Sequence, residues 1–280
     1  VKIKSSILKP PDIERFLVED VGKGDVTTDA VIGADWRAGG KYIAKSNFVL
    51  AGMNEALAVI AYLDSELKIL SKSADGKNIA SGEEFCEIEG NMRAILTAER
   101  TSLNLLQRMC GIATLASEYA GAVKGRVKIL DTRKTTPGLR QLEKYAVRVG
   151  GCVNHRMGLD DGILIKDNHI KGAGGVRRAV KQAKRNAHHL LKIEVEVTTL
   201  DELTEAIAAG ADGVLLDNMD DDTIKEAVNL SKGKVFTEAS GGITLERLKT
   251  LSEIGVDYIS VGALTHSATS ADISLEIEKI

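Results

Sequence analysis

Arg133, Lys134, His155, Arg156 and Lys166 each stand at or just beyond the end of a short apolar, β-branched run. Cations gathered in this way suit a ligand with several negative charges, and the arginine fork donates bidentately to carboxylate or phosphate. Glu196 and Asp217 end the next two runs. Acids among cations serve either as ion-pair scaffolding or as a seat for hydroxyls and a divalent metal. Glu194 lies two residues before Glu196 and shares its strand face; Glu196 is favoured as the nearer to the strand's C-terminal end, with Glu194 kept as the alternative. Ser240-Gly241-Gly242 and Val261-Gly262-Ala263 follow the last two runs. Glycine-rich loops in such places bare backbone N–H groups and commonly hold phosphate. Arg140, Lys144 and Arg148 recur at helical spacing, which assigns Lys144 to a charged outer face.

The elements that must position these groups form a repeat. The runs are VKIL, CVNHR, GILIK, IEVEV, GVLL, VFTEAS and YISV, and helix-forming stretches mostly separate them. Glu196, Asp217, Ser240 and Gly262 follow one another at roughly 22 residues, the length of one strand, one helix and two short loops. Buried parallel strands joined by helices predict a β/α barrel whose strand ends share one mouth.

With 280 residues, 28% of them charged and 44% hydrophobic, the chain is long enough for a small barrel and a second module. A formal charge of −3 argues against nucleic acid or a membrane surface as partner, since either favours a basic field. Cys86, Cys110 and Cys152 are odd in number and include no CxxC pair, so neither a disulfide framework nor a zinc site is expected. No apolar run reaches membrane length, and the N-terminal segment VKIKSSILKPPDIERFL lacks a signal-peptide pattern. A cytoplasmic protein is expected.

Residues 1–108 read as an α+β module with antiparallel character. A helix is expected over 12–19 and another over 54–63, with strands over 40–45, 67–70 and 84–88 and turns at Asp75-Gly76 and near Gly82. A long helix over 92–119 joins this module to the barrel of 109–267. Its Thr97, Arg100, Asn104, Gln107 and Gly111 fall on one narrow stripe among apolar faces, which predicts that the stripe lines a site.

The ordered phrases GDVTTDA (24–30), AERTSLNLLQRMCGIAT (98–114), DTRKTTPGLRQLEKYAV (131–147), NHRMGL (154–159), LIKDNHI (164–170), EVEV (194–197), LLDNM (215–219), ASGGI (239–243) and VGALTHS (261–267) resemble those of the quinolinate phosphoribosyltransferases. The set spans almost the whole chain and is highly specific. Two positions depart from it: Cys152 stands where a third glycine is expected, and Asp160 where a bulkier residue is.

The resemblance implies an α/β fold, with an N-terminal α/β sandwich followed by an open seven-stranded α/β barrel, residues 268–280 returning to the sandwich. It implies that Arg133, His155, Arg156 and Lys166 hold the two carboxylates of quinolinate. Lys134 would serve the phosphoribosyl donor, with Thr132 beside it. Glu196 and Asp217 would hold ribose hydroxyls and organise Mg²⁺ through the phosphoribosyl pyrophosphate. Ser240, Gly241, Gly242, Val261, Gly262 and Ala263 would take the 5-phosphate. Lys134, Lys166, Glu196 and Asp217 are the residues implied in catalysis. Arg100 would come from the neighbouring subunit of a homodimer, so that one chain's sandwich covers the other's barrel. The implied reaction yields nicotinate mononucleotide, pyrophosphate and CO₂ in the biosynthesis of NAD.

Two other readings are distinguishable. A related phosphoribosyltransferase for another aromatic acid would lose part of the dicarboxylate clamp, and a non-catalytic phosphate-binding barrel would lose Glu196, Asp217 or Lys166. The sequence retains all of them.

Overall fold

The computed structural model describes residues 6–280. Residues 1–5, assigned above to the sandwich and to the segment inspected for a signal, lie outside the described residues. Along the chain the strands are β1 (Arg37–Ala44), β2 (Phe48–Val49), β3 (Lys68–Lys72), β4 (Asn78–Ile79), β5 (Glu84–Asn91), β6 (Lys128–Leu130), β7 (Ile163–Ile165), β8 (Ile193–Val197), β9 (Gly213–Asp217), β10 (Phe236–Ser240), β11 (Tyr258–Ser260) and β12 (Ile273–Lys279). The described residues form two compact units: 6–117, 141–150 and 268–280 in one, 118–140 and 151–267 in the other. No helix among the described residues is long and apolar enough to cross a membrane.

The first unit is built on an antiparallel sheet in the order β12-β1-β5-β3. Alternate residues of β1 turn inward, and the buried Tyr42 hydroxyl lies 2.8 Å from Ser102 Oγ on the long helix Met92–Val123. β12 pairs with β1 from Ala38–Lys279 to Ala44–Ile273, so the chain end closes the sheet that the N-terminal half began. Helix Pro10–Val21 begins at a proline, whose missing N–H costs nothing in a first turn. Asp25 caps helix Val26–Val31 by accepting the Thr28 N–H at 2.9 Å.

The stripe on the long helix is satisfied mainly within this unit. Thr97 Oγ1 donates to Asp25 Oδ2 at 3.1 Å, and Gln107 Nε2 donates to the Ile273 carbonyl at 2.8 Å. Gly111 lets the 269–270 backbone approach so closely that a Cβ would lie 2.0 Å from the Thr269 oxygen. Only Arg100 and Asn104 of the stripe are exposed. The single site-lining face expected from the pattern is therefore corrected: the chain's own C-terminal segment and the Asp25 loop take most of it.

Lys144 is also corrected. Helix Arg140–Val149 buries Leu142, Glu143, Lys144, Ala146 and Val147, and Lys144 is 1% exposed. Glu143, fully buried, accepts from Arg108 Nε and Nη2 at 3.1 and 3.0 Å. A helix enclosed on most of its circumference leaves Gln141 and Arg148 as the solvent-facing positions of its central part, so helical spacing of charges did not mark an outer face.

The second unit carries a parallel sheet in the order β6-β11-β10-β9-β8-β7. The run around Val153 forms a seventh, minimal member. Only an isolated parallel bridge joins Val153 to Leu130, its N–H donating to the Ile129 carbonyl and its carbonyl accepting the Asp131 N–H. β9 is buried along nearly its whole length, as a strand covered on both faces must be. The helices that follow β8, β9 and β10 start at Thr199, Asp220 and Thr244, each side chain accepting a backbone N–H three residues on. These caps fix where each loop ends, and so where each strand-end side chain projects.

Candidate functional site

A cavity of about 810 Å³ opens at the C-terminal ends of the barrel strands. Thr132, Arg133 and Lys134 enter it from the turn after β6, His155 and Arg156 from the turn after Val153, and Lys166 from the end of β7. Glu196, Asp217, Ser240, Gly241, Gly242, Val261, Gly262 and Ala263 line it from β8 to β11. All the site residues expected from the sequence except Arg100 therefore meet in one cavity. Arg100 is an exposed residue of the first unit.

Strand order explains the distribution of charge. The Val153 segment and β7 are the two ends of the sheet, and each carries cations; the glycine loops follow β10 and β11 in its middle. The sheet curls enough to bring His155 Nε2 within 3.7 Å of Glu194 Oε2 and 3.6 Å of Glu238 Oε1. Arg156 and Arg133 are close enough for repulsion to add to burial, the larger effect, in holding the Arg156 guanidinium below its ordinary range. Arg156 Nη1 donates to the Gly162 carbonyl at 3.1 Å. Two arginines held together in this way gain most from a shared anionic ligand. Lys166 is ion-paired with Glu196.

The turns themselves are braced. Asp131 has no solvent exposure, and its carboxylate accepts the His155 N–H at 2.9 Å and Asn154 Nδ2 at 2.6 Å. Arg140 donates to Thr135 Oγ1 at 3.0 Å and to the carbonyls of Met157 and Arg133 at 3.1 and 3.3 Å. The Thr265 hydroxyl donates to the Lys134 carbonyl at 2.8 Å. A Cβ on Gly262 would meet both Lys134 Cδ and His266 Nε2 at 3.1 Å, so glycine lets the loop pack closely against a lysine.

Glu238 joins the site beyond the residues expected from the sequence. It lies on β10 two residues before Ser240 and so shares its inward face, which the run VFTEAS already implied. Glu194 and Glu238 are both buried, and among the described residues no hydrogen bond reaches their Oε1 atoms. Burial first, then each other's proximity in the case of Glu194, raises both above the ordinary carboxylate range. His155 Nδ1 accepts the Arg156 N–H at 2.7 Å, which leaves the ring proton on Nε2, facing the two acids. The trio His155, Glu194 and Glu238 has ligand atoms within 4.8 Å of one another, but that tautomer turns a donor rather than a lone pair toward the two acids.

Cys152 is 5% exposed, and positive φ falls on the neighbouring Gly151 (+94°). A third glycine is not required by the backbone here. Asn218 and His266 also line the cavity and were not singled out by sequence.

Models of the quinolinate phosphoribosyl transferase N-terminal and C-terminal domains match residues 25–110 and 112–276. The chain is 45% identical over 266 residues to a probable nicotinate-nucleotide pyrophosphorylase (carboxylating) of Bacillus subtilis, covering 95% of this chain and 92% of that protein. It is 40% identical over 305 residues to a mitochondrial quinolinate phosphoribosyltransferase (decarboxylating) of Nicotiana tabacum, covering 99% and 87%. Among solved structures, the nicotinate-nucleotide pyrophosphorylase from Francisella tularensis superposes with a TM-score of 0.90 at 40% identity, covering 99% of each chain.

Proposed function

Because the chain belongs to the quinolinate phosphoribosyl transferase family, we propose that it transfers the phosphoribosyl group of phosphoribosyl pyrophosphate to quinolinate with decarboxylation. The products are nicotinate mononucleotide, pyrophosphate and CO₂, a step in the de novo biosynthesis of NAD. The observation that carries this reading is one cavity with arginines and a lysine at the two ends of the sheet and acids with glycine loops between them.

Arg133 and Arg156, with Lys166, bind the two carboxylates of quinolinate and turn its ring nitrogen toward the donor. Backbone N–H groups around Ser240–Gly242 and Gly262–Ala263 bind the 5-phosphate, and Lys134 lies beside that ledge. Glu196 and Asp217 accept the ribose hydroxyls. The nitrogen forms its bond to the anomeric carbon as the bond to pyrophosphate breaks, and nearby carboxylates stabilise the oxocarbenium character between them. The nitrogen is then cationic, so the electron pair left on the adjacent carbon when CO₂ departs is stabilised by the ring itself; a proton from solvent replaces the carboxyl group. Hard carboxylate oxygens at Glu196 and Asp217 fit Mg²⁺, which would be held together with the donor's phosphates and would neutralise the pyrophosphate leaving group.

The same reading makes the protein a cytoplasmic homodimer in which Arg100 of each chain serves the other chain's cavity. The exposure of Arg100 and its absence from the cavity of its own barrel support this. The buried thiols of Cys86, Cys110 and Cys152 suit a reducing compartment. Incubation with quinolinate, phosphoribosyl pyrophosphate and Mg²⁺ tests the reading: nicotinate mononucleotide is expected, and its absence with folded protein would reject it.

A further inference from the structure

Arg247 lies in the first turn of helix Leu245–Ile254 and does not line the cavity. Its guanidinium spans two loops that do. Nη1 donates to the Gly241 carbonyl at 3.0 Å, in the loop after β10, and Nη2 donates to the Met219 carbonyl, in the loop after β9. Nε donates to Asp221 Oδ1 at 3.0 Å, an ion pair that anchors the fork at the start of helix Asp221–Ser231. The arginine side chain is 23% exposed, so these bonds are partly shielded from water.

The cavity side of the same two loops is joined by Asn218. Its backbone is left-handed at φ +54°, its N–H donates to the Ser240 carbonyl at 3.0 Å, and its Nδ2 donates to Asp217 Oδ2 at 2.9 Å. Its Oδ1 lies 2.1 Å from where a Cβ on Gly241 would be, so the loops touch without a side chain between them. Gly241 and Gly242 both have positive φ, at +90° and +59°. Successive glycines resist other backbone conformations weakly, and a loop made of them holds its shape only if external bonds fix it.

We propose that Arg247 is a positioning residue for the phosphoribosyl donor: by tying the Gly241 and Met219 carbonyls to Asp221, it fixes the distance between the Asp217 carboxylate and the glycine ledge. Donor affinity then depends on a residue that does not contact the donor. The role rests on the reading above, in which this edge takes the ribose and its 5-phosphate. Without the fork, the ledge must be ordered when the donor binds, and that entropy is subtracted from donor affinity. A lysine would reach one acceptor at a time and would keep only part of the effect. The acceptor cations stand on β7 and on the turns after β6 and Val153, none of which Arg247 touches, so quinolinate affinity is unaffected.

The test uses Arg247→Ala and Arg247→Lys beside the wild-type protein. Ribose 5-phosphate binding is measured by calorimetry, both KM values by steady-state assay, and Tm by thermal melt. Arg247→Ala should weaken ribose 5-phosphate and raise the KM for phosphoribosyl pyrophosphate by about tenfold, with the quinolinate KM within about twofold. The lysine variant should lie between, and added guanidinium ion should restore part of the donor affinity of the alanine variant at unchanged Tm. Unchanged ribose 5-phosphate affinity in Arg247→Ala, or equal rises in both KM values, would overturn the inference while the reaction stood. Wild-type protein that bound ribose 5-phosphate in an Arg247-dependent way but did not convert quinolinate would instead overturn the reaction and support the positioning role.

Discussion

The carboxylate of Asp131, at the end of β6 and with no solvent exposure, accepts the backbone N–H of His155 at 2.9 Å. Two adjacent strand ends are thereby locked together, and with them the turn that presents Arg133 and the turn that presents Arg156. Bonds to a buried charged acceptor are strong, and their donors cannot be left unpaired without cost. Asp131→Ala should lose roughly 2–3 kcal/mol of stability and raise the KM for quinolinate. Urea unfolding and acceptor titration at saturating donor check both. A variant of wild-type stability and wild-type KM would mean that the turn holds itself.

Gly241→Ala should fold and yet bind the donor poorly. The backbone sits at φ +90°, and the new Cβ would fall 2.1 Å from Asn218 Oδ1. Relief requires either the loop or Asn218 to move, at a strain of roughly 1–3 kcal/mol. That moves the Asp217 neighbourhood as well, since Asn218 Nδ2 donates to Asp217. Donor KM should rise by about tenfold or more while far-ultraviolet circular dichroism stays native. Undisturbed donor KM would show that the ledge is built elsewhere.

Glu238 makes the protein's stability depend on pH in a defined direction. Burial holds its carboxyl above the ordinary glutamate value of 4.5. Above 4.5 the unfolded chain gives up this proton while the folded chain keeps it, so the folded state binds more protons and stability falls as pH rises, until the folded group also ionises. The contribution is complete below 4.5 and declines by about 1.4 kcal/mol per pH unit across the window. Glu238→Gln, which is always neutral, should show a shallower fall in Tm over the same range. A Tm profile parallel to wild type would mean that Glu238 is ionised in the fold.

Arg100 tests the shared site. Arg100→Ala and Lys166→Ala should each be nearly inactive alone. After the two proteins are dissociated, mixed equally and reassociated, mixed dimers hold one doubly defective site and one intact site. Activity should return to about a quarter of wild type under random pairing. If mass measurement confirms mixed dimers and activity stays absent, Arg100 serves its own chain.

Much of this site was legible because parallel barrel strands end in reactive residues at a steady interval. Glu196, Asp217, Ser240 and Gly262 stand where that period put them. Glu238 was equally legible, two residues before Ser240, but it lies one layer deeper than the strand ends. Other features depend on partners that sequence spacing does not reveal. Lys144 shares its helical period with solvated cations but sits in a helix enclosed on most sides. The stripe on the long helix was polar because β12 and the Asp25 loop, far away in sequence, come to meet it. The strand expected at 152–156 contracts to one bridge at Val153, since its residues turn early to be held by Asp131. The left-handed Asn218 and the reach of Arg247 across two loops follow from backbone geometry alone.

The central claim is that the cation clamp holds both carboxylates of quinolinate while the one adjacent to the ring nitrogen is lost. The measurement that tests it most directly follows carbon from quinolinate labelled in its 2-carboxyl group, with phosphoribosyl pyrophosphate and Mg²⁺, beside a parallel reaction in which nicotinate is the acceptor. The account predicts labelled CO₂ released in equal amount with nicotinate mononucleotide, and turnover of nicotinate lower by about a hundredfold or more, because a half-buried clamp missing one carboxylate keeps charge without its ligand partner. Label retained in a ribosylated product, or nicotinate used as readily as quinolinate, would contradict it.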